Sequence, residues 1–349
     1  LAAVVAERSG RVDAAQLGIA WVELSTGRFL AATFPRQQLV DELSRIQPSE
    51  CLCVEDDRLP ELELLEGMMT TSRPAWEFAL EAGTDALNKH FGTASLEGFG
   101  FVADDTLALR AAGALIQYLI ETQRASLQHI DRLSPYRTGQ CMEIDQATRR
   151  SLEITRTLRD GRREGSLLSV IDRTVSATGS RMLADWIANP LTDVTQIEQR
   201  LDAVEEMIDQ PSVARDLQDE LRGIYDLPRL LARVATGRTN PRDLSYIGRT
   251  LEKLPRIRSL LEAARCPLLE QLRGEFDLCP ELSESLLAAL QDECPLTPRE
   301  GGFIRAGYDE SLDEWRRLAS GGKEWIAKYQ AGLSDESGIS NLKVGFNKV

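Results

Sequence analysis

The chain has 349 residues, 42% of them apolar, with a formal net charge of −14 and a pI near 4.9. That length allows two or three domains with substantial cores, and no apolar run reaches the roughly 18 residues that suggest a membrane span. The charge divides into 12 basic and 20 acidic side chains through Gly139 (−8), then 29 and 35 beyond it (−6), so neither half has the basic excess that drives nucleic-acid binding through counterion release. Cys51, Cys53, Cys141, Cys266, Cys279 and Cys294 form no Cys-x-x-Cys pair, and only His90 and His129 could join them on a metal. They read as reduced thiols of a cytoplasmic protein. Leu1 in place of Met, without a secretory signal pattern, reads as the start of a piece of a longer chain.

Strand and helix signals alternate over residues 1–125. Leu1 to Val5 is a short apolar run; Leu17 to Leu24 and Arg28 to Phe34 read as two strands joined by a tight turn in which Gly27 supplies positive φ. Leu39, Leu43 and Ile46 mark a helix ended by Pro48, and Cys51 to Glu55 a strand covered on both faces. A helix is expected near Ala75 to His90, and a long one opened by Asp104 carries Leu107, Ala111, Leu115 and Leu119 on one face. This alternation favours a mixed sheet flanked by helices. Residues 126–142 lack a clear period and read as a crossing.

From Glu143 the pattern is helical. One helix is expected around Asp145 to Leu158, one opened by Ser166, and one opened by Thr178 and closed by Asn189-Pro190. Asp193 with Gln196 makes a capping pair ahead of Val194, Ile197, Leu201, Val204 and Ile208. Asn240-Pro241 is an N-cap followed by proline at the first helical position. Leu282, Leu286 and Leu290 mark another helix, and Phe303-Ile304 a short strand. A long helix then runs to about Leu333, weakened at Gly321-Gly322, where a kink could form. After Gly338 the period becomes two, with Leu342, Val344 and Phe346 on one face and Lys343, Gly345 and Asn347 on the other.

The wording of Glu143 to Pro190 resembles the core of the MutS family of DNA mismatch-recognition proteins. Three later segments resemble that family in the same order: Asp226 to Val234 with Asn240 to Leu244, Ile304 to Trp315, and Leu342 to Val349. Ser151 stands where close relatives often carry Asn. The resemblance implies an α/β connector domain with a ribonuclease H-like fold over 1–125, a linker over 126–142, a mostly helical core and lever domain over 143–338, and the first strand of a β-rich clamp over 339–349. It implies a coupling segment of a mismatch-recognition ATPase. The intact protein would be a homodimer on mismatched duplex DNA, would use ATP with Mg, and would recruit a MutL-type partner through the connector. The piece itself would be non-enzymatic, without a cofactor or metal, and monomeric.

Candidate chemistry is thin. Glu23, Glu55 and Asp104-Asp105 could gather on a ribonuclease H-like sheet to hold two divalent metals, the basis of a nuclease alternative; Asp104 is equally good as an N-cap and Glu55-Asp56-Asp57 as a loop. A stand-alone protein-binding connector is a further alternative. Gly321-Gly322-Lys323 lacks the spaced glycine and following hydroxyl of a phosphate loop, since Arg317 and Glu324 occupy those positions. Arg149, Arg150, Arg156, Arg159, Arg162 and Arg163 could contact phosphates, but a solvated helix face paired through Glu153 explains them more simply. Leu183, Trp186 and Ile187 read as core. Lys343, Asn347 and Lys348, on the polar face of the expected clamp strand, are candidate DNA-backbone contacts.

Overall fold

The computed structural model describes residues 1–7, 16–55, 59–65, 67–123, 126–137, 139, 141–339 and 341–344. Two compact units are present: Leu1–Thr239 with Arg249–Pro280, and Asn240–Gly248 with Glu281–Val349.

The first unit begins with β1 (Ala2–Ala6), β2 (Gln16–Glu23), β3 (Arg28–Pro35), α1 (Leu39–Ile46), β4 (Glu50–Val54), β5 (Met69–Arg73), α2 (Leu80–Phe91), α3 (Thr106–Thr122) and β6 (Leu133–Pro135). The strands form one mixed sheet in the order β5-β4-β1-β2-β3-β6. β1, β2 and β3 pair antiparallel, whereas β4 on β1, β5 on β4 and β6 on β3 are parallel. Side chains alternate between faces as the strand period demands. Ala3, Val5, Ala20, Val22, Leu52 and Val54 pack toward α3, while Ala2, Val4, Leu17, Ile19, Cys51 and Cys53 pack toward Leu39 and Leu43 of α1. Small residues permit close layering: a Cβ on Gly18 of β2 would lie 2.0 Å from the Leu107 carbonyl oxygen of α3. Gly27, at φ +77°, closes the β2–β3 turn, its amide donating to the Glu23 carbonyl at 2.9 Å.

The helical part follows: α4 (Gln146–Ser151), α5 (Leu167–Ile171), α6 (Ala177–Ala188), α7 (Val194–Asp209), α8 (Pro211–Arg222), α9 (Leu227–Ala235), α10 (Pro241–Leu260), α11 (Pro267–Gly274), α12 (Pro280–Ala289) and α13 (Glu310–Ser337). Its starts are chemically explicit. Asp145, Ser166, Ser176 and Asp193 each accept a hydrogen bond from an amide two or three residues on. Asn240 and Asp243 cap each other reciprocally, side chain to amide, at 3.0 and 3.3 Å. In the second unit Arg305 ties α12 to the following loop, donating to the Leu287 carbonyl (2.9 Å) and to Asp292 (2.7 Å). Among the described residues no helix is long and apolar enough to cross a membrane.

Several expectations need correction. The helix expected to reach Leu158 stops at Ser151, because Glu153 turns to φ +46° and its carboxylate accepts from the Leu158 amide at 2.5 Å. The cap read at Thr178 is Ser176. Ala75–Phe78 is a separate 3-10 turn, and α2 starts only at Leu80. Asp105 rather than Asp104 closes the turn before α3, accepting from the Val102 amide at 2.8 Å. Ile304 makes only an isolated bridge to Leu290. Trp186 is 39% exposed, with the Arg200 guanidinium 3.7 Å from its ring centroid, so it is not core. The long helix α13 is present and extends to Ser337, past the expected end near Leu333. Asn341 to Val344 form no strand: the Val344 amide donates to Gln330 Oε1 of α13 at 3.0 Å. Gly345, Phe346 and Val349 lie outside the described residues.

Candidate functional site: the joint between sheet and helices

The chain leaving the sheet is fastened to the turn between α6 and α7. Asn189-Pro190 ends α6, and Pro190, with no amide of its own, still offers a carbonyl. The Met142 amide donates to it at 2.7 Å, Cys141 bridges to Leu191, and Thr192 Oγ1 donates to the Gly139 carbonyl at 2.9 Å.

Helix α1 reaches the same place from the sheet side. Gln38, just before it, donates to both carboxylate oxygens of Glu143 at 3.2 Å. Asp41 accepts from the Gln146 amide at 2.7 Å, so the first turn of α4 is capped by its own Asp145 and by a carboxylate 105 residues away. Arg45, in the last turn of α1, is largely buried. Its Nε donates to Glu42 at 2.8 Å and its Nη1 to Asn189 Oδ1 at 3.3 Å. The guanidinium carbon lies 4.4 Å from the Tyr136 ring centroid and 5.2 Å from that of Trp21. Burial pushes the Tyr136 hydroxyl up, outweighing the nearby Arg45 charge. Arg149 of α4 donates to the Ala188 carbonyl at 2.9 Å. Burial, and after it the like charge of Arg45, pull its pKa down.

A second set of contacts bridges the β2–β3 end of the sheet and the helices. Arg28 lies 3.3 Å from Asp185, and Glu23 3.9 Å from Arg229. Asp226 holds Arg181 through two hydrogen bonds of 2.5 and 2.7 Å and lies 3.6 Å from Arg229. The Arg181 hydrogen bonds, against an opposing contribution from burial, keep the Asp226 carboxyl below its usual range. The exposed Arg28–Asp185 pair adds little, whereas the bidentate pair fixes α6 to the start of α9.

The remaining candidates are dispersed. Glu23 accepts from Ser25 at 2.9 Å and Thr26 at 3.0 Å; Glu55 and Asp104 are exposed; Asp105 is paired with Arg137 at 2.6 and 2.8 Å. No three His, Cys, Asp or Glu side chains among the described residues could together hold a metal. Gly321-Gly322 lie inside α13. Lys343 is exposed, and Asn347 and Lys348 lie outside the described residues. Glu153 does not pair with the neighbouring arginines as expected, since the helix that would align them is absent. The joint residues Asp41, Arg45 and Tyr136 carry no local sequence signal, because their partners are far away in the chain.

The arrangement defines a class: a sheet domain braced against a helical segment through polar contacts. Residues 1–131 match the family model described as MutS domain II, and residues 147–336 the one described as MutS domain III. The chain belongs to the MutS family. It is 52% identical over 333 residues to the DNA mismatch repair protein MutS of Rhodopirellula baltica, a match covering 95% of this chain and 37% of that protein. It is 39% identical to the protein of the same name from Halothermothrix orenii (95% and 38% covered) and 40% identical to that from Symbiobacterium thermophilum (100% and 40%). The chain thus spans about two fifths of the length of these relatives.

Proposed function

We propose that this chain is the coupling segment of a MutS-type mismatch-recognition ATPase: a ribonuclease H-like connector over 1–125, a linker over 126–142, a core and lever over 143–338, and the start of a clamp over 339–349. The supporting observation is the joint, where α1, α4 and the α6–α7 turn share a half-buried set of directional bonds around Arg45. Directional contacts between packed elements favour discrete arrangements over continuous bending, which lets a displacement on one side bias the other.

In this reading the whole protein is a cytoplasmic homodimer that binds mismatched duplex DNA, uses ATP with Mg outside this segment, and meets a MutL-type partner through the sheet domain. This segment has no catalytic or cofactor role. Lys343, Asn347 and Lys348 are carried as DNA-backbone contacts. The nuclease alternative has no support in the placement of Glu23, Glu55 and Asp105, and the stand-alone binding module sits poorly with the joint.

The decisive experiment uses the intact protein. Asn189→Ala and Arg45→Ala should each change the rate of ATP-driven release from mismatched DNA by severalfold while leaving ATP hydrolysis without DNA within about twofold. Release that matches the parent in both variants would remove the joint from the mechanism. Incubation of the chain with labelled DNA and Mn or Mg should yield no cleavage.

A further inference from the structure

The arginines between Arg149 and Gly165 do not form the paired helix face that their spacing suggests. After Ser151 the chain turns at Glu153 and Gly161, both at positive φ, and this refolds the segment against the C-terminal end of α1 and the turn after it. Between them lies a cleft of about 680 Å³, within the size range of small-ligand sites. Arg149, Arg150, Arg156 and Arg159 line it, and its described lining contains no Asp or Glu. In a chain of net charge −14 that is a marked local reversal.

Among the described residues these guanidinium groups have few internal acceptors: Arg149 donates to the Ala188 carbonyl at 2.9 Å, Arg156 reaches the Gly161 carbonyl at 3.5 Å, and Arg159 stands 4.0 Å from an exposed Asp160. Glu153, the nearest acid in sequence to Arg156, is committed to the Leu158 amide. Two further groups belong to residues that line the cleft: Arg149 Nε and Ser44 Oγ are buried, and neither has a hydrogen-bond partner among the described residues. Buried donors left unsatisfied are costly and call for an acceptor. Planar guanidinium forks beside hydroxyl donors match the geometry of phosphate oxygens.

We propose that this cleft binds a ligand carrying several linked phosphates, whose oxygens are received by Arg149, Arg150, Arg156 and Arg159. Such phosphates come either from a free oligophosphate or from a stretch of nucleic-acid backbone. The inference does not depend on the coupling role of the joint.

The test measures binding of inorganic tripolyphosphate to the 349-residue chain by calorimetry at low and moderate salt, with displacement by a short single-stranded oligonucleotide as a second arm. The paired substitution Arg156→Ala and Arg159→Ala removes exposed side chains and should raise the Kd at least tenfold. Arg162→Ala, in the same loop but outside the cleft lining, should leave it within about twofold. Displacement by the oligonucleotide, with the same dependence on Arg156 and Arg159, assigns the phosphates to a nucleic-acid backbone; tripolyphosphate binding without displacement assigns them to a free oligophosphate. Absence of tripolyphosphate binding overturns the proposal, as does equal weakening by Arg162→Ala, which would mean diffuse attraction only.

Discussion

Arg45, in the last turn of α1, donates to Asn189 Oδ1 across 144 residues of sequence, at 3.3 Å, while its guanidinium covers the Tyr136 ring. One side chain thus joins the sheet, the segment leaving it and the end of α6. Replacing Arg45 by alanine removes a cation–π contact and strands Glu42 and Asn189. The expected loss is about 2 kcal/mol in chemical denaturation. Limited proteolysis should then cut faster between Tyr136 and Asp145, and an unchanged cleavage pattern would argue against a bracing role.

Two glycines set the spacing of α2 on α3. A Cβ on Gly113 would lie 2.1 Å from the Gly83 Cα, whereas one on Gly83 would lie 3.2 Å from the Gly113 Cα. Gly113→Ala should therefore force the helices apart and cost about 3 kcal/mol, more than the roughly 1 kcal/mol that alanine returns in helix propensity. Gly83→Ala should be close to neutral. Urea midpoints of the two variants separate the cases.

Asp105 supplies a pH dependence. Burial raises its carboxyl pKa, but the Arg137 guanidinium and the Val102 amide outweigh that and hold it below the ordinary aspartate value. A depressed folded pKa stabilises above the unfolded value and loses that contribution as pH falls through the folded one. The loss is therefore confined to pH below about 4. Arg137→Ala should lower stability at pH 7 by about 2 kcal/mol. It should also flatten the acid limb of a stability–pH curve relative to the parent.

Asp226 gives a parallel case on the helical side. Asp226→Asn keeps the shape but loses the charge-assisted fork to Arg181, and should cost about 1–2 kcal/mol. Asp185→Asn, whose Arg28 partner is exposed, should change stability by less than about 1 kcal/mol.

Much of this was legible wherever a local chemical reason fixed the outcome. The apolar runs on either side of Ser25-Thr26-Gly27 mark β2 and β3, Asn240 followed by Pro241 marks the start of α10, and Asp193 with Gln196 marks α7. All but the first four residues of the family wording from Glu143 to Pro190 fall inside the core-domain match, which covers residues 147–336. The misses have physical causes. β5 is an edge strand reading Met-Thr-Thr-Ser-Arg, with no apolar alternation, and β6 is three residues drawn from a stretch without a period. The end of α4 depends on Glu153 adopting left-handed backbone, which an unremarkable helix-forming residue does not advertise. Joint residues are invisible for a different reason: Arg45 finds Asn189 only after both elements are in place.

Buried apolar side chains are unevenly distributed: the two large clusters belong to the sheet and its helices, whereas Val194, Leu201, Val204 and Ile208 on α7 remain exposed. Amide protons of β1, β2 and α3 should consequently exchange with deuterium only through global opening, while those of α7 exchange by local fraying orders of magnitude sooner. Heating would then melt the helical half ahead of the sheet, giving two calorimetric transitions from one polypeptide.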